Sequence, residues 1–257
     1  MGRIHSEGDG RIRTITIESE GKRNAVDFEM VEALAETFEA LEERDELIVP
    51  VLRGAGEKAF SAGFDLSVDR SDQTAEQKRL WSRMLDAIEG YSYPVIAMIN
   101  GDTYGGAVAI AASCDLRVGV EDARFGITPA RIGLVYGGRP VNRIMDLIGP
   151  AKTREMLFTA EPIDATHAAE VGFLNYAVPR EDLEDRTYGM AETIASNAPF
   201  SLRGMKDVLA AIEARGHLSE AELDWVQGLR DEAFASEDHA EGVAAFEEGR
   251  EPEFEGH

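Results

Sequence analysis

The groups best suited to chemistry in this 257-residue chain are backbone amides, carried by two glycine turns. The first is Ala59-Phe60-Ser61-Ala62-Gly63-Phe64-Asp65-Leu66, and the second is Asn100-Gly101-Asp102-Thr103-Tyr104-Gly105-Gly106-Ala107. Each follows an apolar run, Val49-Pro50-Val51-Leu52 for the first and Pro94-Val95-Ile96-Ala97-Met98-Ile99 for the second. Each reads as a strand mouth opening into a helix. Helix starts present N–H groups that have no intrahelical partner, at the positive end of the aligned peptide dipoles. Two such starts facing each other would grip one developing oxyanion without any side chain, which is a device for acyl chemistry.

The elements that must position these turns follow from the pattern. Residues 11–17 alternate as a strand. Asp27 caps an amphipathic helix to about residue 44, with Val31, Leu34, Phe38 and Leu41 on one face. Residues 48–53 and 94–99 are strands feeding the turns. Residues 67–76 are polar and acidic and read as a loop, followed by a helix over 75–89. Residues 107–113 form a helix of small residues, and 116–120 a strand. Strand–helix alternation of this kind predicts an α/β core of right-handed crossovers. From about residue 152 the pattern turns helical, over 152–158, 165–171, 183–197, 201–215, 219–235 and 236–247.

Bulk composition excludes several partners. The net charge of −23, from 49 acidic and 26 basic side chains, repels nucleic acid and anionic membranes. No apolar run approaches the ~20 residues of a membrane helix. The start of the chain carries no apolar signal region, so a cytoplasmic location is expected. Only five of the basic residues are lysines (Lys22, Lys58, Lys78, Lys152 and Lys206). Acids in place of lysines predict adaptation to high salt, where a Debye length of ~3 Å screens the self-repulsion. Cys114 is the single cysteine, which excludes an internal disulfide and reads as a buried, inert thiol. His5, His167, His217, His239 and His257 show no metal-ligand spacing, so no metal is expected.

Six segments together resemble the crotonase superfamily, also called the enoyl-CoA hydratase/isomerase family, and the resemblance spans the chain. They are Lys22-Arg23-Asn24-Ala25-Val26, the Phe60–Leu66 turn, Gly105-Gly106-Ala107, Cys114-Asp115-Leu116-Arg117, Ala123-Arg124-Phe125-Gly126 and Ala169-Glu170-Val171-Gly172-Phe173-Leu174. The resemblance implies a spiral of ββα units over 1–195 carrying an acyl-CoA site, and a helical oligomerisation region over 196–257. It also implies a homotrimer or a dimer of trimers, with coenzyme A entering as part of the substrate and no permanently bound cofactor.

By motif position, the amides of Phe64 and Gly106 match the family's oxyanion hole. Lys22, Arg23, Asn24 and Ala25 match the loop lying along coenzyme A, with Ala62, Asp65 and Leu66 beside the same channel. Lys22 or Arg23 suits a CoA phosphate, and Asp65 reads as a cap of the following helix. Arg250 matches a contact to coenzyme A in the neighbouring subunit.

Two departures bear on the reaction. Hydratases of the family hold one water between two glutamates, and here those positions are Ala109 and Pro129. Residues 125–136, with a Thr-Pro and a late tyrosine, are similar to the methylmalonyl-CoA decarboxylase branch, and Tyr136 matches that branch's active-site tyrosine. The branch's histidine is replaced by Phe64. Decarboxylation or isomerisation, as in fatty acyl-CoA metabolism, is therefore expected over hydration, because an enolate needs a stabiliser and a proton but no water-activating pair. A non-catalytic acyl-CoA-binding homologue is the alternative. Asp69 or Asp72 could replace the lost acids, and Arg139 could clamp a substrate carboxylate, although an ion pair with one of the many acids is the simpler reading of that arginine.

Overall fold

The computed structural model describes residues 2–44, 46–68 and 74–256. The first half is built by repetition. After β1 (Arg3–Glu7), β2 (Ile12–Glu18) and α1 (Phe28–Glu42), three units follow, each two strands and a helix. They are β3 (Val49–Gly54), β4 (Ala59–Ser61) and α2 (Ala75–Glu89); β5 (Ile96–Ile99), β6 (Asp102–Tyr104) and α3 (Gly106–Ser113); and β7 (Leu116–Val120), β8 (Arg124–Gly126) and α4 (Gly138–Thr159). The first strand of each unit enters a six-stranded sheet and the second a four-stranded sheet, each sheet parallel through these units. This is the expected ββα spiral.

The chain continues through β9 (Ile163–Asp164), α5 (Ala165–Glu170), β10 (Tyr176–Val178), α6 (Leu183–Ala195), α7 (Pro199–Arg215), α8 (Glu220–Ala235) and α9 (Glu237–Glu248). The larger sheet runs β1-β2-β3-β5-β7-β10 and the smaller β4-β6-β8-β9. β5 is buried throughout, which is why it reads as an unbroken apolar run rather than an alternating one. α1 begins where expected: the Asp27 carboxylate accepts from the Met30 amide, and Val31, Leu34, Phe38 and Leu41 are buried.

Three expectations need correction. The first glycine turn does not open into a helix, because α2 starts only at Ala75; Phe64 instead forms a parallel bridge with Val26. The second turn does open into a helix, α3, but residues 102–104 within it form an unexpected strand, β6. The tail from residue 152 is not all helical, since β9 and β10 complete the two sheets, and α4 begins fourteen residues earlier, at Gly138. α4 bends at Gly149, whose φ is +73°, ahead of Pro150.

The end of α3 is closed by cations. The buried Arg117 guanidinium donates to the carbonyls of Phe173 (2.6 Å), Cys114 (2.5 Å), Ala111 (3.3 Å) and Asp115 (3.4 Å). Arg143 Nε donates to the Ala112 carbonyl at 3.1 Å, and Lys206 of α7 reaches the Asp115 carboxylate at 2.7 Å. Positive charge at a helix C-terminus is favourable, and these contacts fasten α3 to both halves of the chain. Cys114 is fully buried here, and burial pushes its thiol up to about 12.

Candidate active site

Gly63 and Gly106 bring the two turns together. A Cβ on Gly63 would stand 2.6 Å from the Gly106 nitrogen and 2.7 Å from the Tyr104 carbonyl oxygen. The Phe64 nitrogen lies 3.4 Å from where a Cβ on Gly106 would be. The bridge to Val26 orients Phe64. Val26 N donates to Gly63 O and Asp65 N donates to Val26 O, both at 2.8 Å, so the Phe64 amide faces away from that strand. Gly106 is the first residue of α3, where an N–H has no carbonyl within the helix to meet.

Phe64 and Gly106 both line a cavity of about 450 Å³. Its aromatic wall is Phe28, Phe64 and Trp81, with ring centroids 5.0 and 6.2 Å apart in edge-to-face contacts. Ala62 and Leu66 line it as well, as do Pro129, Tyr136 and Arg139 of the segment running from β8 into the start of α4. Among the described residues no carboxylate lines this cavity. Ala109 is buried within α3 and Pro129 opens a short 3-10 turn on the wall. Asp69 and Asp72 lie outside the described residues. Arg139 pairs with Asp86 and, at 3.0 Å, with Glu89, so its charge is already met by two acids. The Tyr136 hydroxyl donates to the Gly105 carbonyl at 2.8 Å, and burial raises its pKa.

The 22–26 loop packs beside the first turn. Arg23 and Asn24 both have positive φ, and the Arg23 carbonyl accepts from Ala62 N at 2.9 Å. Asn24 turns inward, its Nδ2 donating to the carbonyls of Ala55 (3.0 Å) and Ala59 (2.9 Å), and its own carbonyl accepts from Ser61 Oγ. Its side chain therefore fixes the loop, while Ala25 is buried next to it. Arg250 is far along the chain in a cluster with Glu241 (2.6 Å) and Glu248 (2.7 Å), and is not among the cavity-lining residues. Among the described residues no group of three or more His, Cys, Asp or Glu could hold a metal ion, and no helix is long and apolar enough to cross a membrane.

Asp65 does not cap a helix. It accepts from Lys22 Nζ at 2.5 Å and from the Ser67 hydroxyl and amide at 2.7 and 2.9 Å, closing a turn. The Lys22 hydrogen bond, then those of Ser67, lower its pKa to about 2. A depressed carboxylate adds stability that is complete above its ordinary pKa, near 4, and is lost as pH falls toward 2. Asp65→Asn should thus lower the urea midpoint at neutral pH, with the gap from the parent closing between about pH 4 and pH 2. A gap that stays constant through this range contradicts the assignment.

Comparisons with known proteins place the chain in a family. The enoyl-CoA hydratase/isomerase family matches residues 7–257. Methylmalonyl-CoA decarboxylase of Escherichia coli is 33% identical over 242 residues, covering 92% of this chain and 91% of that protein. The short-chain-enoyl-CoA hydratase of Clostridium acetobutylicum is 30% identical over 260 residues, covering 98% and 97%. Among solved structures, an enoyl-CoA hydratase/carnithine racemase from Magnetospirillum magneticum superposes with a TM-score of 0.92 at 32% identity, covering 100% of this chain and 97% of that one. The chain belongs to the enoyl-CoA hydratase/isomerase family, whose members are enzymes of several reaction types.

Proposed function

We propose that the protein processes an acyl-CoA thioester, stabilising an enolate between the amides of Phe64 and Gly106, by decarboxylation or isomerisation rather than hydration. The observation that carries this is the wall of the cavity. Phe64 and Gly106 both line it, Pro129 lines it too, no carboxylate among the described residues does, and by motif position Pro129 and the buried Ala109 match the two glutamates of the family's hydratases. Adding water across a double bond needs a base for the water and an acid for the α-carbon. Losing carbon dioxide leaves the enolate electron pair on the thioester, which needs stabilisation and one proton. The likeness to the E. coli decarboxylase supports the same choice.

In this reading Lys22, Arg23, Ala25, Ala62, Asp65 and Leu66 line the path of coenzyme A. Lys22 and Asp65 act as a pair, and Asn24 holds the loop from within. The 196–257 region is the oligomerisation unit. Its groove of about 540 Å³, lined by Phe200, Phe234, Phe246 and Phe254, and the 88% exposure of Phe246 support a trimeric or hexameric assembly in which Arg250 meets a neighbour's coenzyme A. The charge of −23 supports a high-salt habitat. The melting temperature is expected to rise between about 0.1 and 2 M KCl as screening removes self-repulsion; a flat or falling trend contradicts the halophilic reading.

The test is product analysis by mass spectrometry after incubation with a panel of CoA esters in molar KCl, including methylmalonyl-CoA and crotonyl-CoA. Loss of carbon dioxide or a shifted double bond supports the proposal. Saturable binding without any product across the panel supports a non-catalytic binder instead.

A further inference from the structure

We propose that Tyr136 is a positioning residue: it holds the Gly105–Gly106 peptide so that the Gly106 N–H faces the thioester oxygen, and it does not deliver the proton. The proposal rests on the oxyanion reading above. Its basis is a single peptide group. The Tyr136 hydroxyl donates to the Gly105 carbonyl oxygen at 2.8 Å, and the N–H on the other end of that same peptide is the proposed donor. No peptide among the described residues is cis. In a planar trans peptide C=O and N–H point in opposite directions. The phenol and the bound thioester oxygen therefore stand at opposite ends of one amide, separated by roughly 7–8 Å, two hydrogen-bond lengths plus the peptide's own width. A proton donor must come within about 2.6–3.2 Å of the atom it protonates, and the phenol proton is already committed to a carbonyl.

This peptide needs a tether. Glycine flanks it on both sides, and glycine restrains its neighbouring torsions least. Gly105 has φ +55° and ψ −121°, outside any regular helix or strand, so the helix does not set the plane by itself. A flipped peptide would turn a carbonyl toward the oxyanion and oppose it. Two hydrogen bonds to the Gly105 carbonyl oxygen resist the flip, from Val108 N at 3.1 Å and from the Tyr136 hydroxyl, while Gly105 N, on the preceding peptide, is anchored to Gly126 O at 2.8 Å. The tyrosine bond also polarises the amide, since hydrogen bonds in series strengthen one another by roughly 10–30%. Burial keeps the phenol protonated, and so a donor, at neutral pH.

The experiment is infrared difference spectroscopy of bound crotonyl-CoA, carbon-13-labelled at the thioester carbonyl, together with kcat and KM on whichever ester the protein turns over. The parent should lower the carbonyl frequency on binding. Tyr136→Phe keeps the ring and its packing, and should weaken that shift, lower kcat by about two- to tenfold, and leave KM within twofold, as befits one neutral hydrogen bond. Replacement by 3-fluorotyrosine, a stronger donor of nearly the same shape, should enlarge the shift. A loss in kcat of about a hundredfold or more with an unchanged carbonyl frequency is the signature of a general acid and overturns the proposal, as does a frequency indifferent to both replacements. Absence of any shift in the parent overturns the oxyanion reading, and this inference with it.

Discussion

Gly63→Ala is expected to abolish most turnover, by about 10²–10³-fold in kcat, the scale on which oxyanion holes lose function when one donor is displaced. The reason is what the new methyl group meets. It would stand 2.6 Å from Gly106 N, 2.7 Å from Tyr104 O and 3.3 Å from Ala107 N, all backbone atoms with no side-chain freedom to yield. The φ of +85° adds strain of its own. Relief requires the two turns to separate, which moves both amides. Gly106→Ala is the instructive contrast. There the methyl meets the Trp81 ring at 2.6 Å, so trimming Trp81 to leucine should restore part of the activity. The same trim should do nothing for Gly63→Ala. Rescue of Gly63→Ala by Trp81→Leu, or near-parental kcat in Gly63→Ala alone, would show that the turns need not touch.

The second large effect is on stability. Arg117→Met should destabilise the fold by about 3–4 kcal/mol, read as a lowered guanidinium midpoint at fixed protein concentration. Removing a buried cation relieves its desolvation, but it leaves the carbonyls of Phe173 and Cys114, which it meets at 2.6 and 2.5 Å, without their donor. Each buried acceptor so stranded costs roughly 1–3 kcal/mol. Burial already lowers the arginine's pKa to about 10, yet it remains charged at neutral pH. Arg117→Lys should recover little, because a single ammonium cannot serve the spread of carbonyls that a guanidinium fork reaches. Parental stability in Arg117→Met would mean the α3 terminus finds other donors.

Much of this architecture is written locally. Asp27 caps α1 by its own side chain, and the small-residue run that becomes α3 has the composition of a fully buried helix. The unread parts are those where tertiary contacts decide. β4, β6 and β8 are three residues each, too short for an alternating pattern to show, and exist because the spiral stacks one on the next. The first stretch of α4 opens with Gly-Arg-Pro, which reads as a turn. Tyr136 lies 31 residues from Gly105, and no periodicity links them. The motifs point to the two amides and the missing acids, but that the tyrosine grips the far end of the donor's peptide is visible only once the chain is folded.

The central claim is that two amides act here without the acid–base pair that water addition requires. It is tested most directly by incubating the protein with crotonyl-CoA in oxygen-18 water at molar KCl and following the acyl chain by mass spectrometry. The account predicts no label at the β-carbon, while methylmalonyl-CoA in the same buffer is bound. Steady incorporation of oxygen-18 as a β-hydroxyl would contradict it, and would mean that acids outside the cavity wall described here activate water.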